Sequence, residues 1–196
     1  TPVMLTAEDP FIMMFTSGTV GSAKGVAVPL KALPGFLVYM KYAIGVGPED
    51  RFWNMADPGW AYGLFYAVAG PLLFGYAAHF YEGGFTAEST YQMLEKYGIT
   101  IAASAPTAYR LLMAAGGDLA DARTIRLRAV CSAGEPLNPE VYRWIEKHLG
   151  CPVFDQYGQT ETGMTVCNHH GLRHATRPGS MGLAMPGFHM VVLNDD

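Results

Sequence analysis

The residues best able to do chemistry begin with a loop near the start of the chain. Thr16, Ser17, Gly18, Thr19, Val20, Gly21, Ser22, Ala23, Lys24 and Gly25 lie between two apolar runs. Glycines let backbone N–H groups come close to an anion, small hydroxyls add donors, and Lys24 adds a point charge, so phosphate is the natural ligand. The loop is not a Walker sequence, because Gly25 rather than Ser or Thr follows Lys24 and no hydroxyl is placed to hold magnesium. A plain hairpin loop shares this composition, so alone it points only to an anion. A second group, Cys167, His169, His170 and His174, lies in a glycine-containing stretch without the paired spacing of a structural zinc site. Solvent-facing histidines are expected there.

The elements that must position these residues follow from apolar spacing. Short apolar runs at 11–15 and 26–28 read as strands on either side of the first loop, and Leu33, Leu37, Met40 and Ile44 recur at helical spacing over 30–44. Strands are expected at 51–55, 77–81, 99–103, 127–132, 153–154 and 188–193. Helices are expected at 86–97, 106–115 and 139–149. Strands alternating with helices of this length make crossover units, so the fold class is α/β with a mostly parallel sheet.

Composition narrows the function further. The chain has 196 residues, half of them hydrophobic, and a net charge of -4 without a basic stripe, which argues against a nucleic-acid partner. Residues 58–78 carry no charge, but Gly59, Gly63, Gly70, Pro71 and Gly75 interrupt the run, so buried core rather than a membrane span is expected. Cys131, Cys151 and Cys167 are odd in number and widely spaced, and no signal-peptide pattern opens the chain. Free thiols and a cytoplasmic location are expected.

Taken in order, several segments resemble the adenylate-forming (AMP-binding, acyl-CoA synthetase) superfamily. The loop of residues 16–25 is similar to its phosphate loop, and Asp57-Pro58-Gly59-Trp60-Ala61-Tyr62-Gly63 to the acyl-pocket segment of the acyl- and acetyl-CoA synthetase branch. Ala105-Pro106-Thr107-Ala108-Tyr109-Arg110 resembles the helix start below that pocket, and Ser132-Ala133-Gly134-Glu135-Pro136-Leu137 the turn lining the adenine. Residues 154–163 give the most specific match, and Arg177-Pro178-Gly179-Ser180-Met181-Gly182 stands where the family has a glycine-rich turn.

The resemblance implies ATP-dependent activation of a carboxylic acid to an acyl-adenylate, then thioester formation with coenzyme A, an activity of fatty-acid metabolism. Thr16, Ser17, Gly18, Thr19, Gly21 and Lys24 would hold the outer phosphates, Gly134, Glu135, Pro136 and Tyr157 would surround the adenine, and Asp155 and Gln156 would also bind the nucleotide. Thr160 would touch the α-phosphate, and Glu161 would hold Mg²⁺. Lys24, Thr160 and Glu161 are thus the expected catalytic residues. Trp60, Tyr62, Gly134 and Gly158 are the expected acyl-pocket walls. Acetyl-selective relatives carry tryptophan at the position of Gly158, so an open floor and a medium-chain, branched or aromatic acid are expected. An ionised carboxylate needs no strong base, so the lack of a Ser/His/Asp constellation is no objection.

Residues 1–196 would form only part of the large domain. A ribose-binding aspartate and a small C-terminal domain would follow Asp196, and this piece alone would be inactive. A non-catalytic ATP- or AMP-binding module and an amino-acid-activating domain, suggested by Asp57, are the alternatives. The oligomeric state is open, with a homo-oligomer among the expectations.

Overall fold

The structure is a computed structural model that describes residues 3–16, 23–170, 172 and 174–194. β1 (Pro10–Thr16) and β2 (Lys24–Pro29) pair antiparallel, with Thr16 opposite Lys24. The helical stretch expected over 30–44 is present in three parts. A tight turn (Leu30–Ala32) leads into α1 (Leu33–Val38), with Pro34 in its first turn, and then into a widened turn (Tyr39–Ile44). Gly45 ends it at φ 70, and a Cβ there would stand 2.4 Å from the His170 ring. Only glycine suits both conditions.

β3 (Phe52–Asn54) follows, then a helical run formed by α2 (Ala61–Gly63), a second widened turn (Leu64–Ala69) and α3 (Gly70–Leu73). This uncharged run packs Phe65, Tyr66 and Ala67 into the core. No helix among the described residues is long and apolar enough to cross a membrane. α4 (Ala87–Lys96) is opened by a capping box between Thr86 and Ser89, worth about 1 kcal/mol. The chain continues through β4 (Ile101–Ser104), α5 (Pro106–Ala114), α6 (Asp118–Asp121), β5 (Ala129–Ala133) and α7 (Pro139–Leu149). It ends in β6 (Val153–Gln159), β7 (Gly163–Cys167) and β8 (Leu183–Ala184).

The six later strands form one sheet in the order β3-β4-β5-β6-β7-β8. The first four are parallel, and β7 and β8 join antiparallel. The parallel strands are buried on both faces and sort their side chains by the two-residue period. Phe52, Ile101, Ala103, Ala129, Cys131 and Phe154 face α1 and the widened turns. Trp53, Ala102, Val130 and Val153 face α4, α5 and α7. α7 meets that face with Val141, Ile145 and Leu149, one stripe of a 3.6-residue helix.

Two strands expected from the sequence do not form. Over 77–81 the chain passes β3, but His79 Nδ1 bonds the Phe52 carbonyl at 2.8 Å, a side-chain contact where a ladder would need backbone. Residues 188–193 are apolar but have no partner strand among the described residues, and Val192 is 96% exposed. Hydrophobicity alone does not pair a strand. In the other direction, β6 runs five residues beyond the expected 153–154, and β7 arises where no strand was expected.

Candidate active site

The carboxyl ends of β4, β5 and β6 lie side by side, and the motifs leave the sheet there. Residues 105–110 follow β4, 132–137 close β5, and 154–163 make up β6 and its turn. Ligands of open α/β sheets bind in the crevice outside these ends.

The first cleft is about 380 Å³ and is lined by Gly134, Glu135, Pro136, Asp155, Gln156 and Tyr157, with Leu137, Gly158, Gly179 and Met181 completing it. The four residues expected around the adenine and the two others expected on the nucleotide, Asp155 and Gln156, are therefore brought together. Gly134 turns at φ 97, which carries the chain sharply out of β5. Glu135 is fixed from below, since Thr107 Oγ1 donates to Oε1 at 2.8 Å and Arg110 pairs with Oε2. The Thr107 hydroxyl first, and the Arg110 guanidinium after it, hold its carboxyl below the usual range. Asp155 is buried beside the cleft, and burial raises its carboxyl to about 6 against the N–H donors of Gln156 and Leu137.

A second cleft of about 200 Å³ adjoins it. Trp60, Tyr62, Gly134 and Gly158, the four expected acyl-pocket residues, all line it. Thr160, an expected catalytic residue, lines it too, and so do Phe65, Tyr66 and Met164, which were not singled out in the sequence. The two clefts share Gly134 and Gly158. Gly158 sits at a register irregularity of the β6–β7 pair, and a Cβ on it would lie 2.4 Å from the Gly163 carbonyl oxygen and 2.6 Å from Met164 Sδ. The floor expected to be open is thus partly filled from across the hairpin. Met164 is held there by its own N–H, which donates to Tyr66 Oη at 3.2 Å.

A third cleft of about 200 Å³ runs between β2 and the β6–β7 turn, lined by Val26, Lys31, Thr160, Glu161 and Phe188 among others. Thr160 lines both the second and third clefts. Lys24 and Thr16 line none of the three. They face each other across the β1–β2 pair, two residues from Val26. Ser17, Gly18, Thr19 and Gly21 lie outside the described residues.

The remaining candidates are placed elsewhere. Asp57 Oδ1 accepts the Gly59 N–H at 2.6 Å and borders a different cleft, with Trp53 and His79, so it does not face the acyl walls. His174 Nε2 accepts the His169 N–H at 2.9 Å. His170 lies against Gly45 and Arg128 rather than in solvent, contrary to expectation, because the left-handed turn at Gly45 leaves a seat for its ring. Arg128 spans to the Gly45 carbonyl at 2.7 Å and to Asp50 at 2.6 Å, which fastens the start of β5 to the loop before β3. Cys131, Cys151 and Cys167 are free and buried.

The AMP-binding enzyme family matches this sequence over residues 1–196. The chain belongs to the AMP-binding enzyme family. The acetyl-coenzyme A synthetase of Bacillus subtilis is 37% identical over 190 residues, covering 96% of this chain and 33% of that protein. That of Streptomyces coelicolor is 39% identical over 211 residues, covering 100% of this chain and 32% of that protein. Among solved structures, the Brucella canis acyl-CoA synthetase superposes with a TM-score of 0.95 at 58% identity, covering 99% of this chain and 35% of that one. The chain therefore spans about a third of the length of the family members it matches.

Proposed function

We propose that the full-length protein is an AMP-forming acid–thiol ligase that activates a carboxylic acid with ATP and transfers the acyl group to coenzyme A. The observation that carries this reading is the shared glycine wall. A cleft with the residues expected around the adenine adjoins a cleft with the expected acyl residues, and both are lined by Gly134 and Gly158. An acid in one cleft and the α-phosphate of a nucleotide in the other can then meet, and holding two reactants in register supplies much of the rate.

In this reading the acid's carboxylate oxygen attacks the α-phosphorus, the bond to the bridging β-phosphate oxygen breaks, and pyrophosphate leaves with the electron pair. The CoA sulfur, having lost its proton, then attacks the acyl carbonyl, and AMP leaves with the carboxyl oxygen. Gly134, Glu135, Pro136, Asp155, Gln156 and Tyr157 hold the nucleotide, and Thr160 stands in the wall of the second and third clefts, between the acid and the outer phosphates. Lys24 and Thr16, with Ser17, Gly18, Thr19 and Gly21, receive the outer phosphates. Glu161 is exposed, with no hydrogen bond or ion pair among the described residues, and as a hard oxygen donor beside Thr160 it fits a Mg²⁺ ligand. When bound, the ion offsets charge on the leaving pyrophosphate. ATP, CoA and three unpaired thiols fit a cytoplasmic setting.

For the acid, the expectation of a medium-chain or aromatic substrate narrows towards the short end. Gly158 leaves the place of a tryptophan side chain vacant, but Met164 fills space beside it in a cleft of about 200 Å³. Relatives such as the Bacillus subtilis enzyme are named for acetate. A short acid larger than acetate, such as propionate or the branched isobutyrate, suits both observations. Pyrophosphate exchange by the full-length protein against acetate, propionate, isobutyrate, hexanoate and benzoate tests this. Fastest exchange with propionate or isobutyrate is expected. Exchange with none of the acids would sink the ligase reading, and fastest exchange with benzoate would sink the short-acid reading alone.

A further inference from the structure

Behind the two clefts lies a tyrosine that touches neither. Tyr39 is fully buried in the first widened turn, 23 residues from Tyr62 and 117 from Gln156 in sequence. Its Oη lies 3.1 Å from Tyr62 Oη and donates to Gln156 Oε1. Tyr62 belongs to the acyl wall and Gln156 to the nucleotide wall. One hydroxyl therefore joins a wall residue of each cleft.

Proton counting makes the link directional. Tyr39 has one proton, and if Gln156 Oε1 receives it, Tyr39 must accept the proton of Tyr62. Gln156 is 3% exposed, and its Nε2 then has no partner among the described residues. Turning the amide over gives Nε2 the Tyr39 oxygen and sends the Tyr39 proton to Tyr62, reversing every donor in the chain. Either order is continuous, and a shift at one end repolarises the other. Filling a buried cavity would need no such hydroxyl, since phenylalanine has nearly the same shape.

We propose that Tyr39 is a positioning residue that couples the two clefts, so that nucleotide seated against Gln156 tightens the acyl wall at Tyr62 and acid seated against Tyr62 tightens the nucleotide wall. This rests on the assignment of the clefts made above. Coupling between binding sites is reciprocal, so the same factor must appear whichever ligand is added first.

The test is calorimetry on the full-length protein with an ATP analogue whose α- and β-phosphorus are joined by methylene. The acid is the one among acetate, propionate, isobutyrate, hexanoate and benzoate that gives the fastest pyrophosphate exchange. Each ligand is titrated alone and in the presence of the other. In the native protein each is expected to bind more tightly with the other present. Tyr39→Phe is expected to reduce that coupling factor by roughly three- to tenfold, the worth of one hydrogen bond, with each ligand's affinity alone changed less than about twofold. Tyr62→Phe cuts the same chain at its other bond and serves if Tyr39→Phe does not fold, and the double variant should lose no more coupling than either single one. Native protein without coupling, or a Tyr39→Phe protein with its coupling intact, would overturn the proposal while exchange still upheld the ligase reading. So would coupling lost only together with equal weakening of both separate affinities.

Discussion

Thr107 at the start of α5 donates its hydroxyl to both carboxylate oxygens of Glu135 at 2.8 Å, and so fixes a wall of the first cleft from the neighbouring strand's helix. Arg110, one turn on, closes the same contact. Two segments separated by 28 residues thus act as one support.

Thr107→Val removes the donor and keeps the shape. We expect the KM for ATP to rise about two- to fivefold, the worth of one modest hydrogen bond, with kcat nearly unchanged. Because Glu135 and Arg110 are both about two-fifths exposed, the thermal midpoint should move little. Steady-state kinetics and a melting curve on the same preparation check both statements. A fall in kcat with KM constant would show that the support acts on the reaction itself.

Acyl selectivity should respond to Met164 more than to any exposed residue. Met164→Ala opens the cleft beneath Gly158, and the kcat/KM ratio of hexanoate to propionate should rise at least about tenfold, given roughly 0.8 kcal/mol per buried methylene. The same change should cost about 2–4 kcal/mol of stability, because Met164 is buried. Gly158→Ala is expected to do the opposite of widening. Its Cβ would meet the Gly163 carbonyl at 2.4 Å, so the hairpin must shift and exchange should fall with every acid. Competition assays with the two acids at equal concentration read the first effect directly.

Asp155 and Asp50 should give opposite dependences on pH. Burial raises Asp155 to about 6, so between about 4 and 6 the folded protein binds more protons than the unfolded chain. Its contribution is present in full below about 4 and is lost as the pH rises through 6. Asp155→Asn should therefore raise stability at pH 8 by up to about 3 kcal/mol and flatten this part of the profile, while weakening ATP binding. Denaturant titrations from pH 4 to 8 measure the slope. A wild-type profile that rises through this interval by the same amount as the variant's would contradict the assignment.

For Asp50 burial alone raises the carboxyl, but the Arg128 guanidinium, the Gly47 N–H and the Thr100 hydroxyl outweigh it and hold the group below its usual range. Its contribution is present above about 4 and is lost as the pH falls below that. Asp50→Ala leaves Arg128 without its carboxylate and should cost about 2–4 kcal/mol at pH 7, with a smaller cost at pH 3. An equal cost at both pH values would show that charge plays no part.

The sequence carried the cleft walls well because each is a short local motif with special backbone needs. Gly134 must take a positive φ, and the glycine-rich end of β6 must lie close to its partner strand. The class of fold was legible for a similar reason, since strands buried on both faces are continuous apolar runs. The extension of β6 was hidden because Gln156, Tyr157, Gly158 and Gln159 have no strand-like periodicity, and it is the return of β7 that makes them a strand. The runs at 77–81 and 188–193 misled for the converse reason, being apolar without a partner. Tyr39 could not have been found at all from local pattern. Its spacing is that of any buried helical residue, and its meaning lies in contacts with residues far along the chain.

The two clefts meet at bare backbone, and this restricts how such a protein can diverge. On the proposed reading, a side chain added at Gly134 or Gly158 stands at the boundary of both clefts, so a change there that reshapes the acyl side must also be accommodated on the nucleotide side. Trp60, Phe65 and Met164 line the second cleft and not the first, so on the same reading substitutions there reshape the acyl side alone.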